Sequence, residues 1–182
     1  MEVSLRTDRL TLAEAGPDDV DGLLAVALSN PEFLATHEGS GGEPGAFDRS
    51  MLERDLAVAD LDPQRHSLVL RRDDGEVVGW VDLLDEHPRD GVPWIGLLEL
   101  RADVQRQGLG REAAQEVARW YAERGASAIR VGVDEGNDDG GAFWRALRYR
   151  PVDRRERPSP MGVLGVEVLE LSLGGASGPA GR

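Results

Sequence analysis

The chain has 182 residues, of which 40% are hydrophobic and 30% are charged, so we expect one globular domain with a sizeable core. It contains no cysteine, which excludes disulfides, catalysis by a protein thiolate, and zinc or iron–sulfur sites with cysteine ligands. The net charge of −13 argues against binding to nucleic acid or to an anionic membrane. The acidity favours a cationic small molecule or a basic partner, or it serves solubility alone.

The histidines and the apolar segments exclude further classes of protein. His37, His66 and His87 lie far apart in the sequence, so we expect no metal site. No apolar run approaches the roughly 20 residues of a membrane span. The first ten residues, MEVSLRTDRL, lack the pattern of a signal peptide, and we therefore predict a cytoplasmic protein.

The first part of the chain predicts one strand and two helices. Apolar and polar residues alternate from Val3 to Leu12, which is typical of a strand. Proline and acidic residues at Gly16–Asp19 begin a helix, and Asn30-Pro31 ends it. The glycine-rich segment Gly39–Gly45 is either a plain connector or a mobile loop facing a substrate. A second helix is expected at Asp48–Asp60.

The middle of the chain predicts three antiparallel strands. They are expected at Ser67–Leu70, Val77–Leu84 and Ile95–Leu100. Turn sequences at Asp73–Gly75 and Glu86–Pro93 separate them, which is typical of a meander.

A helix and a further strand follow this meander. The helix is predicted from Arg111 to Arg124, with Gly125 as its C-terminal cap. The next strand, Ala128–Val133, should run parallel to the strand at 95–100, because a helix connects the two. A short helix is then predicted from Asn137 to Leu147.

The C-terminal part predicts a strand start, a loop and a last strand. Tyr149–Val152 can begin a strand, whereas the polar segment Arg154–Pro160 is expected to loop out. Val163–Leu173 is the last predicted strand, and Gly174–Arg182 is expected to be disordered. We therefore predict one domain over residues 1–173.

The most informative segment joins the strand at 95–100 to the helix at 111–124. Its sequence is Gln105-Arg106-Gln107-Gly108-Leu109-Gly110. The first-turn N–H groups of a helix lack intrahelical partners, the helix dipole is positive there, and glycine allows close approach to the backbone. We therefore predict a binding site for the pyrophosphate of a nucleotide-like cofactor at this turn.

Two other phosphate-binding motifs compete for this segment. A P-loop requires Lys-Ser/Thr after its last glycine, and Gly110 is followed by Arg111-Glu112. A dinucleotide-binding motif, G-x-G-x-x-A, does match Gly108–Ala113, and Asp134 or Glu135 stands where its ribose-binding acid would be. That fold needs repeated βαβ units, which the meander and the short remainder of the chain do not supply. A dinucleotide-binding protein is thus the weaker alternative.

The order of elements and three motifs resemble the GNAT superfamily of acetyl-CoA-dependent N-acetyltransferases. Its cofactor motif, Gln/Arg-x-x-Gly-x-Gly/Ala, is matched by Gln105–Gly110, and its asparagine and aromatic pair are matched by Asn137 and Phe143-Trp144. The opening TDRLTL, Thr7 to Leu12, is similar to the first strand of relatives that acetylate amino groups. The resemblance implies an α/β (α+β) fold with a mixed, mostly antiparallel sheet of about six to seven strands and about four flanking helices.

The resemblance also implies how acetyl-CoA, the acyl donor substrate, would bind. Backbone N–H groups of the turn would hold the pyrophosphate, and the turn consists of Gln105, Arg106, Gln107, Gly108, Leu109, Gly110 and Arg111. The backbone of Leu98, Glu99 and Leu100 would pair with the pantetheine arm like an added strand and offer an N–H to the thioester oxygen.

The other side of the arm would be lined by Asn137, Phe143 and Trp144. Phe143 and Trp144 are also suitable core residues, and both roles are compatible for a bulky aromatic side chain. The implied reaction is direct transfer of the acetyl group to a primary amine of a small molecule or protein in a ternary complex. A cationic amine is one option for this acceptor, and association into homodimers is left open.

The catalytic residues of the family are only partly matched. Many relatives carry a tyrosine as general acid after the Phe143 position, but Trp144 stands there, and an indole does not release a proton. Trp94 and Gly96, where some relatives carry a base, cannot act as one. Arg148-Tyr149 replaces the family's Gly-Phe, so the local backbone is expected to differ. A sensor that binds acetyl-CoA without turnover is therefore an alternative function.

Glu99 is the candidate catalytic residue of the sequence, because it is the only ionisable residue between Trp94 and Leu100. It could act as the general base, as a rim carboxylate for a cationic substrate, or as a structural partner of an arginine. Strict alternation places it on the face opposite Leu98 and Leu100. A chain of waters could also carry the proton. Weaker candidates for the base are Asp82, Asp85 and Asp134.

Overall fold

The computed structural model describes residues 3–37, 47–159 and 162–174, with the side chains of residues 35–37 left out. Within these residues one sheet of eight strands is flanked by five α-helices. The strands are β1 Ser4–Arg6, β2 Thr11–Glu14, β3 Arg65–Arg71, β4 Val77–Leu84, β5 Trp94–Leu100, β6 Ala128–Asp134, β7 Arg150–Ser159 and β8 Gly162–Ser172. The helices are α1 Val20–Leu28, α2 Pro31–His37, α3 Arg49–Asp60, α4 Leu109–Glu123 and α5 Asp138–Ala146.

The strand order in the sheet is β1-β2-β3-β4-β5-β6-β8-β7. All neighbouring strands are antiparallel except β5 and β6, which are parallel and joined by α4, as predicted. The expected mixed, mostly antiparallel sheet is thus confirmed, with slightly more strands and helices than predicted. A doubly wound dinucleotide fold requires repeated parallel βαβ units, so this topology excludes the dinucleotide alternative.

The predicted first strand is interrupted by a turn. The Thr7 N–H donates to Leu10 O at 2.8 Å, and the Leu10 N–H donates to Thr7 Oγ1 at 2.9 Å. These bonds fold residues 7–10 back, so that β1 and β2 pair with each other. The alternating pattern correctly predicted extended backbone, but the hydroxyl of Thr7 supplies a local partner that ends the first strand.

A helix absent from the prediction follows α1. Asn30-Pro31 does end α1, but Pro31 also begins α2. Proline is tolerated at the first position of a helix, because an N–H group there has no acceptor within the helix. The Leu34 N–H donates to Asn30 O at 3.1 Å, which closes the first turn of α2. The predicted connector or loop at Gly39–Gly45 lies outside the described residues.

A loop was predicted at Arg154–Pro160, but residues 154–159 form most of β7, an edge strand paired with β8, and Pro160 lies outside the described residues. Its alternate side chains point inward, where Arg155 binds Asp90 and Arg157 binds Asp134. Charged residues and a proline are tolerated on a sheet edge, which is why this polar sequence can form a strand. Of the predicted disordered tail, residues 175–182 lie outside the described part.

The core has two parts, one on each face of the sheet. Helices α1, α2 and α3 cover one face, where Leu23 and Leu52 pack against Val69 and Trp80. Helices α4 and α5 cover the other face, and Val117 is among their buried residues there. No helix in the described ranges is long and apolar enough to cross a membrane.

Candidate active site

The strands β5 and β6 separate in the middle of the sheet. They are paired only at Trp94–Arg130 and Ile95–Val131 in the described structure. On its other side β5 has a bulge, because Gly96 has no partner in β4 between the pairs formed by Ile95 and Leu97. Beyond the bulge, no described strand pairs with the edge of β5 that faces β6.

Backbone groups of β5 face this gap in alternation. The Arg101 N–H donates to Val78 O of β4 at 2.9 Å, so the Glu99 N–H also points towards β4. The N–H and C=O groups of Leu98 and Leu100 therefore point into the gap. Of the three residues predicted to pair with the pantetheine arm, the geometry brings two to the gap and directs the backbone of Glu99 away from it.

Asn30 connects the end of β5 to the glycine turn. Its Nδ2 lies 2.9 Å from Glu99 Oε1 and 2.9 Å from Leu100 O, and both atoms accept hydrogen bonds. The Gln105 Nε2 donates to Asn30 Oδ1 at 2.7 Å and to Leu100 O at 2.9 Å. The side chains of Glu99 and Gln105 thus hold the site together through a residue that sequence reasoning used only as a helix end.

The turn before α4 has the backbone of an anion site. Arg106 has a φ of +58° and Gly108 a φ of +87°, both in the left-handed region. The helix then begins at Leu109. In the described structure no N–H group from Gly108 to Arg111 donates a hydrogen bond to another residue. These N–H groups lie at the positive end of the α4 dipole, where an anion is stabilised.

Helix α4 packs directly against its neighbours beneath this turn. A Cβ atom on Gly110 would lie 3.4 Å from Leu100 Cδ1 and 3.5 Å from the ring of Phe143. The side chain of Leu109 is buried in the core, so only its backbone is available to a ligand. Helix α4 therefore approaches both β5 and α5 at the gap.

Arg9 lies against the glycine turn, although the sequence analysis did not select it. Its Nη1 donates to Gln107 O at 3.0 Å, and its Nη2 lies 3.3 Å from the position of a Cβ atom on Gly108. Glu112 of α4 holds the guanidinium, with Arg9 Nε donating to Glu112 Oε2 at 2.8 Å. The hydroxyl of Thr7 also donates to Glu112. A positive charge from the N-terminal segment thus adjoins the anion site.

Helix α5 closes the gap on the β6 side. Asn137 caps it, with its Oδ1 accepting from the Gly140 N–H at 2.9 Å. The rings of Phe143 and Trp144 lie 4.9 Å apart, with Phe143 half-buried above Gly110 and Trp144 buried in the core. The packing role of this pair is therefore evident.

The backbone after α5 does not differ as the sequence suggested. Arg148 adopts a φ of +71°, the left-handed conformation that a glycine would take at a helix end. Its N–H donates to Arg145 O at 3.0 Å, and the Tyr149 N–H donates to Trp144 O at 3.1 Å. The chain thus forms the expected cap at the cost of an unfavourable conformation for arginine.

A cavity of about 830 Å³ lies beside the β5 bulge, on the face that carries α3. Asp82 of β4 lies in its wall, and a Cβ atom on Gly96 would be 3.9 Å from Asp82 Cβ. The Asp82 Oδ1 accepts from Ser67 Oγ at 2.5 Å and from Trp80 Nε1 at 3.0 Å. Burial raises the pKa of Asp82 above its usual range, which suits a proton acceptor.

The other two weaker candidates have structural partners. Asp85 accepts from Tyr121 Oη at 2.9 Å, and its Oδ2 lies 3.3 Å from His66 Nε2. Asp134 forms two hydrogen bonds with the guanidinium of Arg157, at 3.0 Å and 2.5 Å. Both carboxylates therefore stabilise the fold.

Comparison with known proteins agrees with this geometry. A model of the family described as the Acetyltransferase (GNAT) family matches residues 30–148, well over half of the chain. An acetyltransferase from Thermus thermophilus is 27% identical with a TM-score of 0.67, over 93% of this chain and 100% of that chain. A GNAT-family acetyltransferase from Bacillus anthracis is 11% identical with a TM-score of 0.77, over 94% and 99% of the two chains.

A further structure with the same fold is the ribosomal-protein-S18-alanine N-acetyltransferase from Escherichia coli. It is 15% identical with a TM-score of 0.64, over 95% of this chain and 99% of that chain. The sequence has no significant match among proteins of curated function. The family model and the shared fold lead to one conclusion: the chain belongs to the GNAT family of acetyltransferases.

Proposed function

We propose that this protein is an N-acetyltransferase that moves the acetyl group of acetyl-CoA directly to a primary amine in a ternary complex. The observation that supports this most is the gap between β5 and β6, which leads from the bulge at Gly96 to the glycine turn. An extended pantetheine arm can pair with Leu98 as an added strand. The pyrophosphate can then meet the free N–H groups at residues 108–111.

The same backbone can assist the chemistry. Attack of an amine on the thioester makes a tetrahedral oxyanion, which a preorganised N–H donor stabilises. The Leu98 N–H faces the gap next to the bulge and can be that donor. Because the chain contains no cysteine, a thioester acyl-enzyme is excluded, which supports direct transfer.

A second candidate function is a sensor that binds acetyl-CoA without turnover. It is favoured by Trp144, which is buried where relatives carry a tyrosine that protonates the leaving thiolate. Steady-state release of CoA over a panel of amines separates the two functions. Release with at least one amine supports the enzyme, whereas tight acetyl-CoA binding with no release on any amine supports the sensor.

The cofactor assignment is tested by variants of the two glycines that flank α4. Gly108 and Gly125 lie at opposite ends of the helix, and both have a φ of +87°. Substitution of each by aspartate strains the same backbone conformation, but only Gly108→Asp places a carboxylate at the anion site. By isothermal titration calorimetry, Gly108→Asp should lose acetyl-CoA binding and Gly125→Asp should retain it. Equal affinity in both variants would contradict the assignment.

A further inference from the structure

The cavity beside Gly96 is strongly acidic. Its wall includes the four carboxylates Asp55, Asp62, Asp82 and Glu86. The other titratable residues in this wall are Arg65 and His87. Its volume of about 830 Å³ falls within the range of pockets that enclose small molecules.

His87 adds no positive charge to this wall at neutral pH. Burial lowers the pKa of His87 below its usual value, and the nearby guanidinium of Arg155 acts in the same direction, while Asp90 opposes them. The His87 Nδ1 lies 3.2 Å from the backbone N of Arg89 and 3.3 Å from Asp90 Oδ2. The ring stacks on Trp94 with centroids 4.6 Å apart.

Asp82 is the carboxylate of this group nearest to the reacting strand. It is the direct neighbour of Leu97 across β4 and β5, immediately after the bulge. Both of its hydrogen-bond donors, Ser67 and Trp80, bind Oδ1. Among the described residues no donor binds Oδ2, so this oxygen can accept a proton from a ligand.

We propose that the cavity binds the acceptor as a small amine with a second positive charge, and that Asp82 removes a proton from the amine to be acetylated. This inference rests on the proposed function. The outer carboxylates Asp55, Asp62 and Glu86 hold the second charge, while Asp82 lies beside the bulge where the thioester arrives. An amine that carries its own carboxylate is repelled by the same wall.

The reaction moves protons from the substrate nitrogen to Asp82 and to the leaving thiolate. The substrate ammonium gives one proton to Asp82 Oδ2, and the freed nitrogen lone pair forms a bond to the thioester carbon. The C–S bond of the resulting oxyanion then breaks, and the thiolate leaves with its electron pair. The nitrogen of the new amide loses its extra proton to that thiolate, which gives neutral CoA, and Asp82 releases its proton to solvent.

The test compares Asp82→Asn with a matched control, Asp60→Asn. Asp60 is exposed on α3 and lies outside the cavity wall. Acetyl-CoA affinity is measured by calorimetry, and CoA release is measured with a diamine, a monoamine of equal length and the corresponding amino acid. We expect Asp82→Asn to lower kcat/KM for the diamine by about 100-fold or more, with acetyl-CoA affinity unchanged. Asp60→Asn should match the wild type in both measurements.

A pH profile separates proton transfer from a structural role. The wild-type kcat/KM should fall at low pH as Asp82 becomes protonated, and this acidic limb should be absent in the residual activity of Asp82→Asn. Ser67 lowers the pKa of Asp82 through its hydrogen bond, so Ser67→Ala should move the acidic limb to higher pH.

Two results would overturn the inference while leaving the proposed function intact. They are full activity of Asp82→Asn on the diamine, and a preference of the wild type for the amino acid. Binding of acetyl-CoA by the wild type without turnover on any amine would overturn the proposed function itself, and this inference with it.

Discussion

Asp90, in the loop between β4 and β5, binds Arg155 of the edge strand β7 through both carboxylate oxygens, with Arg155 Nη2–Oδ1 at 2.6 Å and Nη1–Oδ2 at 3.0 Å. Arg130 Nη1 lies 3.2 Å from Oδ1 as well. The Asp90 side chain is only 5% exposed. The pair fastens the segment that enters β5 to the far end of the sheet, so it helps to fix where the gap begins.

Asp90→Asn should lower the free energy of unfolding by about 3 kcal/mol at neutral pH, because it removes the buried carboxylate that binds both Arg155 and Arg130 and leaves Arg155 with Asp153 alone. Arg155 holds the pKa of Asp90 below its usual value of 3.8. The stability that the ionised Asp90 carboxylate contributes is therefore fully present above pH 3.8, and it is lost as the pH falls further, towards the pKa of Asp90 in the folded protein. Urea unfolding should show a constant difference from wild type between about pH 6 and 8 that shrinks below about pH 4. A difference independent of pH would contradict the ion-pair explanation.

Arg148→Gly should raise the free energy of unfolding by about 1 kcal/mol, because glycine adopts a φ of +71° without strain. Arg150→Gly is the matched control, since Arg150 is exposed at the start of β7 and glycine weakens a strand. Thermal unfolding should therefore shift upward for the first variant and downward for the second. Shifts of the same sign would argue against strain at Arg148.

Two buried tyrosines should respond oppositely to loss of the hydroxyl. The Tyr149 Oη is buried without a hydrogen-bond partner among the described residues, whereas the Tyr121 Oη donates to Asp85 at 2.9 Å. Tyr149→Phe should stabilise the protein by about 1 kcal/mol, and Tyr121→Phe should destabilise it by about 1–2 kcal/mol. Chemical denaturation of both variants checks the sign. Destabilisation by Tyr149→Phe would mean that its hydroxyl is satisfied in solution.

Arg9→Ala should weaken acetyl-CoA binding about tenfold, which corresponds to loss of one charge-assisted hydrogen bond to the diphosphate. Arg6→Ala is the control, because Arg6 lies in the same N-terminal segment but pairs with the exposed Asp73 at 3.3 Å. Calorimetric titration at two salt concentrations should show a smaller salt dependence for Arg9→Ala than for wild type. Equal affinity of the two variants would place Arg9 outside the cofactor contacts.

Local signals carried most of what the sequence predicted. The turn at Asp73–Gly75 predicted the β3–β4 hairpin, Gly125 predicted the end of α4, and Asn137 predicted the start of α5. Each of these features is specified by a few adjacent residues whose backbone preferences agree with the fold.

The contacts that complete the candidate site could not be predicted in this way. Asn30 and Glu99 are 69 positions apart, and Arg9 and Glu112 are 103 apart. Nothing in the local pattern of either residue indicates its partner, because only the packing of α1 and α4 on the sheet brings them together. The start of the edge strand β7 was predicted at Tyr149–Val152, but its continuation was not, since Arg155 looks like a loop residue until its buried partner is known.

The short contact between β5 and β6 has a further physical consequence. In the described structure only two residue pairs join the part of the sheet that ends at β5 to the part that begins at β6. When the gap is empty, the central strand carries a free edge of the kind that proteins otherwise protect at their margins. A bound pantetheine arm would cover that edge. The substrate would thus act as a removable strand that shields the protein from pairing with other extended chains.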